Sequence, residues 1–177
     1  MPAINPATDL DWFLSGGTSN TDPNLSFEGD ISTTEVVDAS LHNLYDKVSG
    51  IESRDGDTEY RKIWFKNSHG SLSLEGSILY VDTDSVETNV DFEVGLGSVK
   101  ATGTGGSDSA DENSAPSPTI TFSDADGEGN GISVGGDTNI DAGEFLDVYI
   151  KRIITAGQTA KNSDSAIIAV AGDSASA

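Results

Sequence analysis

The clearest periodicity in the chain is the alternation of Val90, Phe92, Val94 and Leu96 with Asn89, Asp91, Glu93 and Gly95. Successive side chains of an extended strand point to opposite faces, so this segment predicts a strand with one face on a core and one on solvent. Glu59–Asn67 has the same period, with Ile63 and Phe65 on one face and Tyr60, Lys62 and Trp64 on the other. Asn67-Ser68-His69-Gly70 reads as a turn into a further strand over Ser71–Glu75. Ser77–Val81 is a short apolar run, and Gly76 before it marks a bulge or turn. Thr119–Phe122, Glu144–Ile154 and Ala166–Ala171 complete the set; in the longest, Leu146, Val148 and Ile150 oppose Asp147, Tyr149 and Lys151. The runs are short, closely spaced and separated by turn-formers rather than by helices. This predicts an all-β protein, an antiparallel β-sandwich of jelly-roll or immunoglobulin-like type.

The N-terminal third is patterned less regularly. Leu10, Trp12 and Leu14 alternate with Asp11 and Phe13, predicting a strand over Asp9–Ser15, and the turn-forming Ser15–Gly29 reads as an arm crossing the surface. Leu41, Leu44 and Val48 stand at helical spacing while Ala39, Leu41, Asn43 and Tyr45 alternate, so both readings stay open there. Lys47–Ser53 suits one short helical turn before Gly56. The expected organisation is a single domain, with an N-terminal strand and arm over residues 1–35 and the sandwich over 36–177. Gly103–Pro118 is an acidic low-complexity stretch between two strands, read either as a flexible linker or as an exposed loop that contacts a partner.

Charge changes this picture most. Thirty Asp and Glu oppose nine Lys and Arg in 177 residues, a formal charge of −21. Such a surface repels phosphate backbones and excludes nucleic acid as a natural partner. It also strains the fold by self-repulsion at low ionic strength, a strain removed in molar salt, where the Debye length is ~3 Å. A hydrophobic content of 35%, arranged in strand patterns, argues against disorder and for a folded protein adapted to high salt. Cysteine is absent, which removes disulfides, Cys-based zinc sites and thiol nucleophiles. No apolar run approaches the ~20 residues that span a bilayer. Met1–Pro6 lacks the basic and apolar regions of a secretory signal, so synthesis in the cytoplasm without membrane insertion is expected.

Candidate chemistry concentrates in Asp124-Ala125-Asp126-Gly127-Glu128-Gly129-Asn130. Calcium and other hard cations take clustered oxygen ligands, and glycine permits the sharp turn that gathers them, so Asp124, Asp126, Glu128 and Asn130 are the candidate ligands. Position 12 of this loop is Gly135 rather than a bidentate Glu, and the other reading is an Asp/Gly hairpin; Asp137, Asp141 and Glu144 lie near enough in sequence to contribute. No cofactor is required for folding on either reading. His42 and His69 lack a second His at ligand spacing and read as structural or surface residues. With no phosphate-binding loop and no His-Glu-x-x-His, no enzymatic activity is expected. Trp12, Phe13, Trp64, Phe65 and Tyr149 admit a sugar-binding platform, but aromatics at strand positions more often form core or interface. Arg61 and Lys62, with Lys151 and Arg152, are expected in ion pairs with carboxylates, within the chain or across subunits. Asn24-Leu25-Ser26 matches the short glycosylation sequon.

Leu14-Ser15-Gly16-Gly17-Thr18-Ser19-Asn20-Thr21-Asp22-Pro23-Asn24 resembles the LSGGxxNxDPxxSLGG opening of small structural proteins encoded in tailed-virus genomes. Asp30–Thr34 continues the likeness, with Phe27-Glu28-Gly29 in place of Leu-Gly-Gly. It resumes at Val48–Glu52, Gly56–Arg61, Asn67–Leu72, Glu93–Gly97, Ala110–Pro116, Ala142–Glu144 and Ile150–Arg152. The resemblance implies a virion component without catalysis, a decoration or turret protein of the capsid surface, or alternatively a tail or baseplate part. Its implied partners are other virion proteins and further copies of itself in a symmetric oligomer. A third reading is an adhesin that recognises a host-surface glycan or protein. Departures from the pattern run toward Asp, Glu and Ser, and the resemblance then implies a virus of a salt-loving host such as an archaeon.

Overall fold

The computed structural model describes residues 3–85, 87, 89–134, 139–157 and 165–174. In chain order its regular elements are α1 (Pro6–Asp9), β1 (Leu10–Ser15), β2 (Ile31–Glu35), α2 (Gly50–Asp55), β3 (Asp57–Asn67), β4 (Leu74–Thr83), β5 (Val90–Lys100), β6 (Phe122–Ser123), β7 (Ile132–Ser133), β8 (Phe145–Ile154) and β9 (Ile167–Ser174). A six-stranded sheet runs β2-β1-β3-β8-β5-β6 and a three-stranded sheet runs β7-β4-β9, with neighbouring strands antiparallel. The fold is an all-β sandwich, as the alternation predicts.

The core lies between the sheets. Leu14, Ile63, Phe65, Val94, Leu146, Val148 and Ile150 from the larger sheet cluster with Leu74, Leu79 and Val81 of β4, and Leu44, Tyr45, Val134 and Ile140 come from the connections. Full burial of each large apolar side chain contributes about 1.5–3 kcal/mol, so this set dominates the fold energetically. Gly76 sits at φ +62° within an irregularity of the β4–β9 register between Glu75 and Ile78, the expected bulge. α2 begins with a reciprocal cap. The Ser49 hydroxyl accepts from the Glu52 N–H at 3.2 Å, and the Glu52 carboxylate accepts from the Ser49 N–H at 2.6 Å.

Two features depart from the half-solvated strands expected from the sequence. First, β3 and β8 are buried on both faces: Trp64 and Asp147 are 0% exposed, Lys62 and Tyr149 only 1%. The acidic stretch after β5 folds back over them and is pinned at Gly105, Ser107 and Asp108, so it is not a free linker, while most of its residues stay exposed as in the loop reading. Second, β1 is flanked by β2 and β3, so the N-terminal strand is part of the larger sheet. The following turn-rich segment is pinned to β3, where buried Ser26 donates its hydroxyl to the Lys62 carbonyl at 2.7 Å and accepts the Lys62 N–H on its own carbonyl.

Candidate functional site

Four surroundings hold the residues to which chemistry was assigned. The first is the strap formed by residues 101–118 over the outer face of the larger sheet. Lys62, on that face of β3, donates through Nζ to the Gly105 carbonyl and to Asp108 Oδ1, each at 2.8 Å. Tyr149, its register partner on β8, accepts the Ser107 N–H at 2.7 Å. The Tyr149 hydroxyl lies 2.9 Å from Asp147 Oδ2 and 3.0 Å from the Ser107 carbonyl, either of which takes its proton. Burial first, and the Asp147 carboxylate second, push the phenol well above its ordinary range. Asp147 also accepts the Ser98 N–H at 2.6 Å and pairs with Lys100 at 3.2 Å. A buried carboxylate needs such a full set of donors. Room for it comes from Gly97 and Gly106, where a Cβ would overlap its oxygens. The charged groups and the phenol here are each satisfied by neighbours, while the buried Trp64 Nε1 has no hydrogen-bond partner among the described residues; the cluster reads as a structural weld.

The second lies on the other face of β3 and β8, the one turned to the core. The Tyr45 ring is held between Arg61 and Arg152, whose guanidinium carbons stand 4.8 and 4.5 Å from its centroid. Its hydroxyl donates to the Ile150 carbonyl at 2.8 Å. Arg61 pairs with Glu112 at 2.8 Å and Arg152 with Glu59, its register neighbour. Burial raises the Glu59 carboxyl above its usual range, with Arg152 pulling against it. Lys151 pairs with Glu93 at 2.8 Å. All four basic residues singled out in the sequence therefore find carboxylates within the chain.

The third is the acidic loop. Asp124, Asp126 and Glu128 do not converge: among the described residues, the one trio of carboxylates with ligand oxygens within 4.8 Å of each other is Asp91, Glu93 and Asp124. Asn130 instead donates its amide to the Asp126 carbonyl at 2.8 Å, closing a short 3-10 turn over Glu128–Asn130. Asp141 and Glu144 cap a separate turn, with the Asp141 N–H donating to Glu144 at 2.9 Å, and Asp137 lies outside the described residues. Asp91 is raised in pKa by partial burial, then by Asp84, Asp124 and Glu93. The hairpin reading fits this loop better than a four-ligand cage over Asp124, Asp126, Glu128 and Asn130.

No protein-family model matches this chain, and no curated protein or solved structure matches it. The functional reading therefore rests on its own residues.

The aromatic platform dissolves on inspection of burial. Trp64, Phe65 and Tyr149 are at most 1% exposed, and Trp12 packs edge-on against Phe65 at 5.0 Å, so the rings belong to the core and the weld. His69 turns the chain, its Nδ1 accepting from the N–H groups of Ser71 and Leu72. The expectation of no enzymatic activity overlooks one motif: Gly131-Ile132-Ser133-Val134-Gly135 spells the Gly-x-Ser-x-Gly nucleophile-elbow pattern. That motif needs a sharp strand-to-helix turn, whereas Ser133 lies within β7 opposite Ile78.

The fourth surrounding is the N-terminal face. Leu25, Val37 and Leu41 are 54%, 64% and 80% exposed. Beside them lie two open cavities of about 380 and 200 Å³ that share Thr21. The first is lined by Gly16, Asn20, Asp22 and Leu25 among others, the second by Leu14, Pro23, Val37 and His42 among others. The first Lys or Arg in the chain is Lys47, so the segment that lines these cavities brings carboxylates and apolar side chains but no Lys or Arg.

Proposed function

We propose that this chain is a non-enzymatic structural component of a tailed-virus particle, a capsid-surface decoration or turret protein that works through protein–protein contacts. The observation that carries the reading is the N-terminal face. Leu14, Gly16, Asn20, Thr21, Asp22 and Pro23, which belong to the segment resembling tailed-virus structural proteins, also line its two cavities. Solvent-exposed Leu25, Val37 and Leu41 beside them give that face the apolar anchors a contact surface needs. The buried ionisable groups support the same reading, because they are consumed in internal pairs rather than aimed into a cleft. The excess of carboxylates fits a particle assembled and exposed in concentrated salt. A bound cation is not required by this reading.

The test is incorporation. A Val37→Asp, Leu41→Asp double variant changes exposed positions and should fold with the melting temperature of the parent, yet fail to enter particles when it replaces the parent during infection. Undiminished incorporation would remove the N-terminal face from the account. A tail or baseplate position is the second placement, and it predicts copies in small multiples of three or six rather than hundreds per particle.

A further inference from the structure

We infer that β9 is a pairing edge for a second copy of this chain, joining two three-stranded sheets into one six-stranded sheet about a two-fold axis. β9 is bonded to β4 on one side, and among the described residues no backbone group pairs with its other side. Free sheet edges attract further strands, and proteins guard them with charges, proline, bulges or brevity. Here the other edges are guarded. β6 and β7 are two residues long, and β2 contains Glu35, pairs irregularly with β1 and gives its Ile31 N–H to the Gly103 carbonyl. β9 is less protected: it is eight residues long, its one charge, Asp173, lies next to its end, and Ile167-Ile168-Ala169-Val170-Ala171-Gly172 is uncharged in a chain of formal charge −21.

The packing around β9 is also incomplete. Ile168 and Val170 face the core yet remain only partly buried, while Leu79 and Val81, their register partners on β4, are 0% and 1% exposed. On the outer face Ile167 is 52% exposed. A strand added beside β9 would cover both faces at once.

The sequence of β9 fits its own reverse. Antiparallel pairing centred on Ala169 sets Ile168 against the partner's Val170 on the inner face and Ile167 against the partner's Ala171 on the outer one. Large residues then meet small or branched ones, and the ladder spans Ile167–Ala171, which leaves Asp173 outside it, so no like charges oppose each other. An interface of this kind is isologous, as expected of a closed dimer. Repulsion between two highly acidic bodies is screened in molar salt, so pairing should strengthen as salt rises. This inference does not depend on the virion reading, since it concerns the purified chain.

The experiment uses the full chain in molar salt, with mass measured by sedimentation as concentration is varied. The expected result is a shift from 18.3 kDa to twice that mass. Because the chain has no cysteine, Ala169→Cys supplies a single thiol at the two-fold position. Directly opposed residues lie within disulfide reach, so this variant should cross-link on mild oxidation. Ile167→Cys is the control: its thiols would be four residues apart along the ladder, about 13 Å, and should not cross-link. Ala169→Lys should return the chain to the single-copy mass while keeping its circular dichroism. A parent that stays at the single-copy mass throughout overturns the inference. So does a dimer in which Ala169→Cys fails to cross-link, or in which Ile167→Cys does so equally well.

Discussion

The ammonium of Lys62 lies 2.8 Å from the carboxylate of Asp108, with the lysine side chain 1% exposed and the aspartate side chain 47% exposed. One partner is sealed within the protein and the other reaches in from the strap, so the pair joins the acidic segment to β3. Removing the outer partner leaves a buried cation with the Gly105 carbonyl and the Trp64 face but no carboxylate. Asp108→Ala should therefore lower stability by about 1–3 kcal/mol in urea unfolding, at the lower end because Asp108 is half in solvent. Adding Lys62→Met to that variant should recover part of the loss, since an apolar side chain of similar length has no charge to strand. Equal stability of Asp108→Ala and the parent would mean that the strap is held by other contacts.

Glycines at the weld and elsewhere should respond in opposite ways. A Cβ at Gly97 would overlap the Asp147 carboxylate, so Gly97→Ala should cost about 1–3 kcal/mol or more. Gly50 opens α2 with no atom within 4 Å of a built Cβ and without a positive φ, so Gly50→Ala should stabilise by about 0.4–1 kcal/mol. Thermal unfolding of the two variants beside the parent checks both signs.

Much of this architecture is legible in the alternation of single segments, and the reason is physical. Leu146, Val148 and Ile150, like Val90, Phe92 and Val94, announce a core face because period two is a property of one strand alone. What covers the opposite face is a matter of tertiary contact. Lys62, Asp147 and Tyr149 look like solvent residues until the strap, some 40 residues away in sequence, returns to satisfy them. β2 carries a single apolar residue, Ile31, and β7 is two residues long, so neither leaves a periodic trace, and the strand expected over Thr119–Phe122 is reduced to the two-residue β6 at Phe122–Ser123. The helical turn before Gly56 was readable, and Ser49 with Glu52 is a capping signature that fixes its start more sharply than apolar spacing does. The candidate cation loop shows the converse limit. Asp124, Asp126 and Glu128 are adjacent in sequence, but Asp124 meets Asp91 and Glu93 across the sheet instead.

That meeting has a pH signature. Asp91 is raised in the folded chain by partial burial and by the carboxylates around it. A carboxyl whose folded pKa exceeds its unfolded value contributes stability that is fully present below the unfolded pKa and is lost as pH rises through the folded one. Asp91→Asn should accordingly melt higher than the parent near neutral pH, with the difference closing below about pH 4, where the parent carboxyl is protonated in both states. A lower melting point at neutral pH would show that Asp91 makes favourable contacts as an anion.

Salt should act on the whole molecule. With thirty acidic residues against nine basic ones, self-repulsion is strong at low ionic strength, so the unfolding midpoint should climb steeply between about 0.05 and 1 M salt, as the Debye length shrinks to ~3 Å. A flat response would remove the argument for a concentrated-salt setting. Asp108→Ala should keep the same salt slope, because its effect is local.

The central claim is that this chain is built to be a part of a particle, and the most direct measurement is its place in one. Cryo-electron microscopy of purified virions, with copy number from quantitative mass spectrometry, should find the sandwich at symmetry-related positions on the particle surface, its N-terminal face against a neighbouring protein. Absence of the chain from purified particles, with the protein left free in infected cells, would contradict the account.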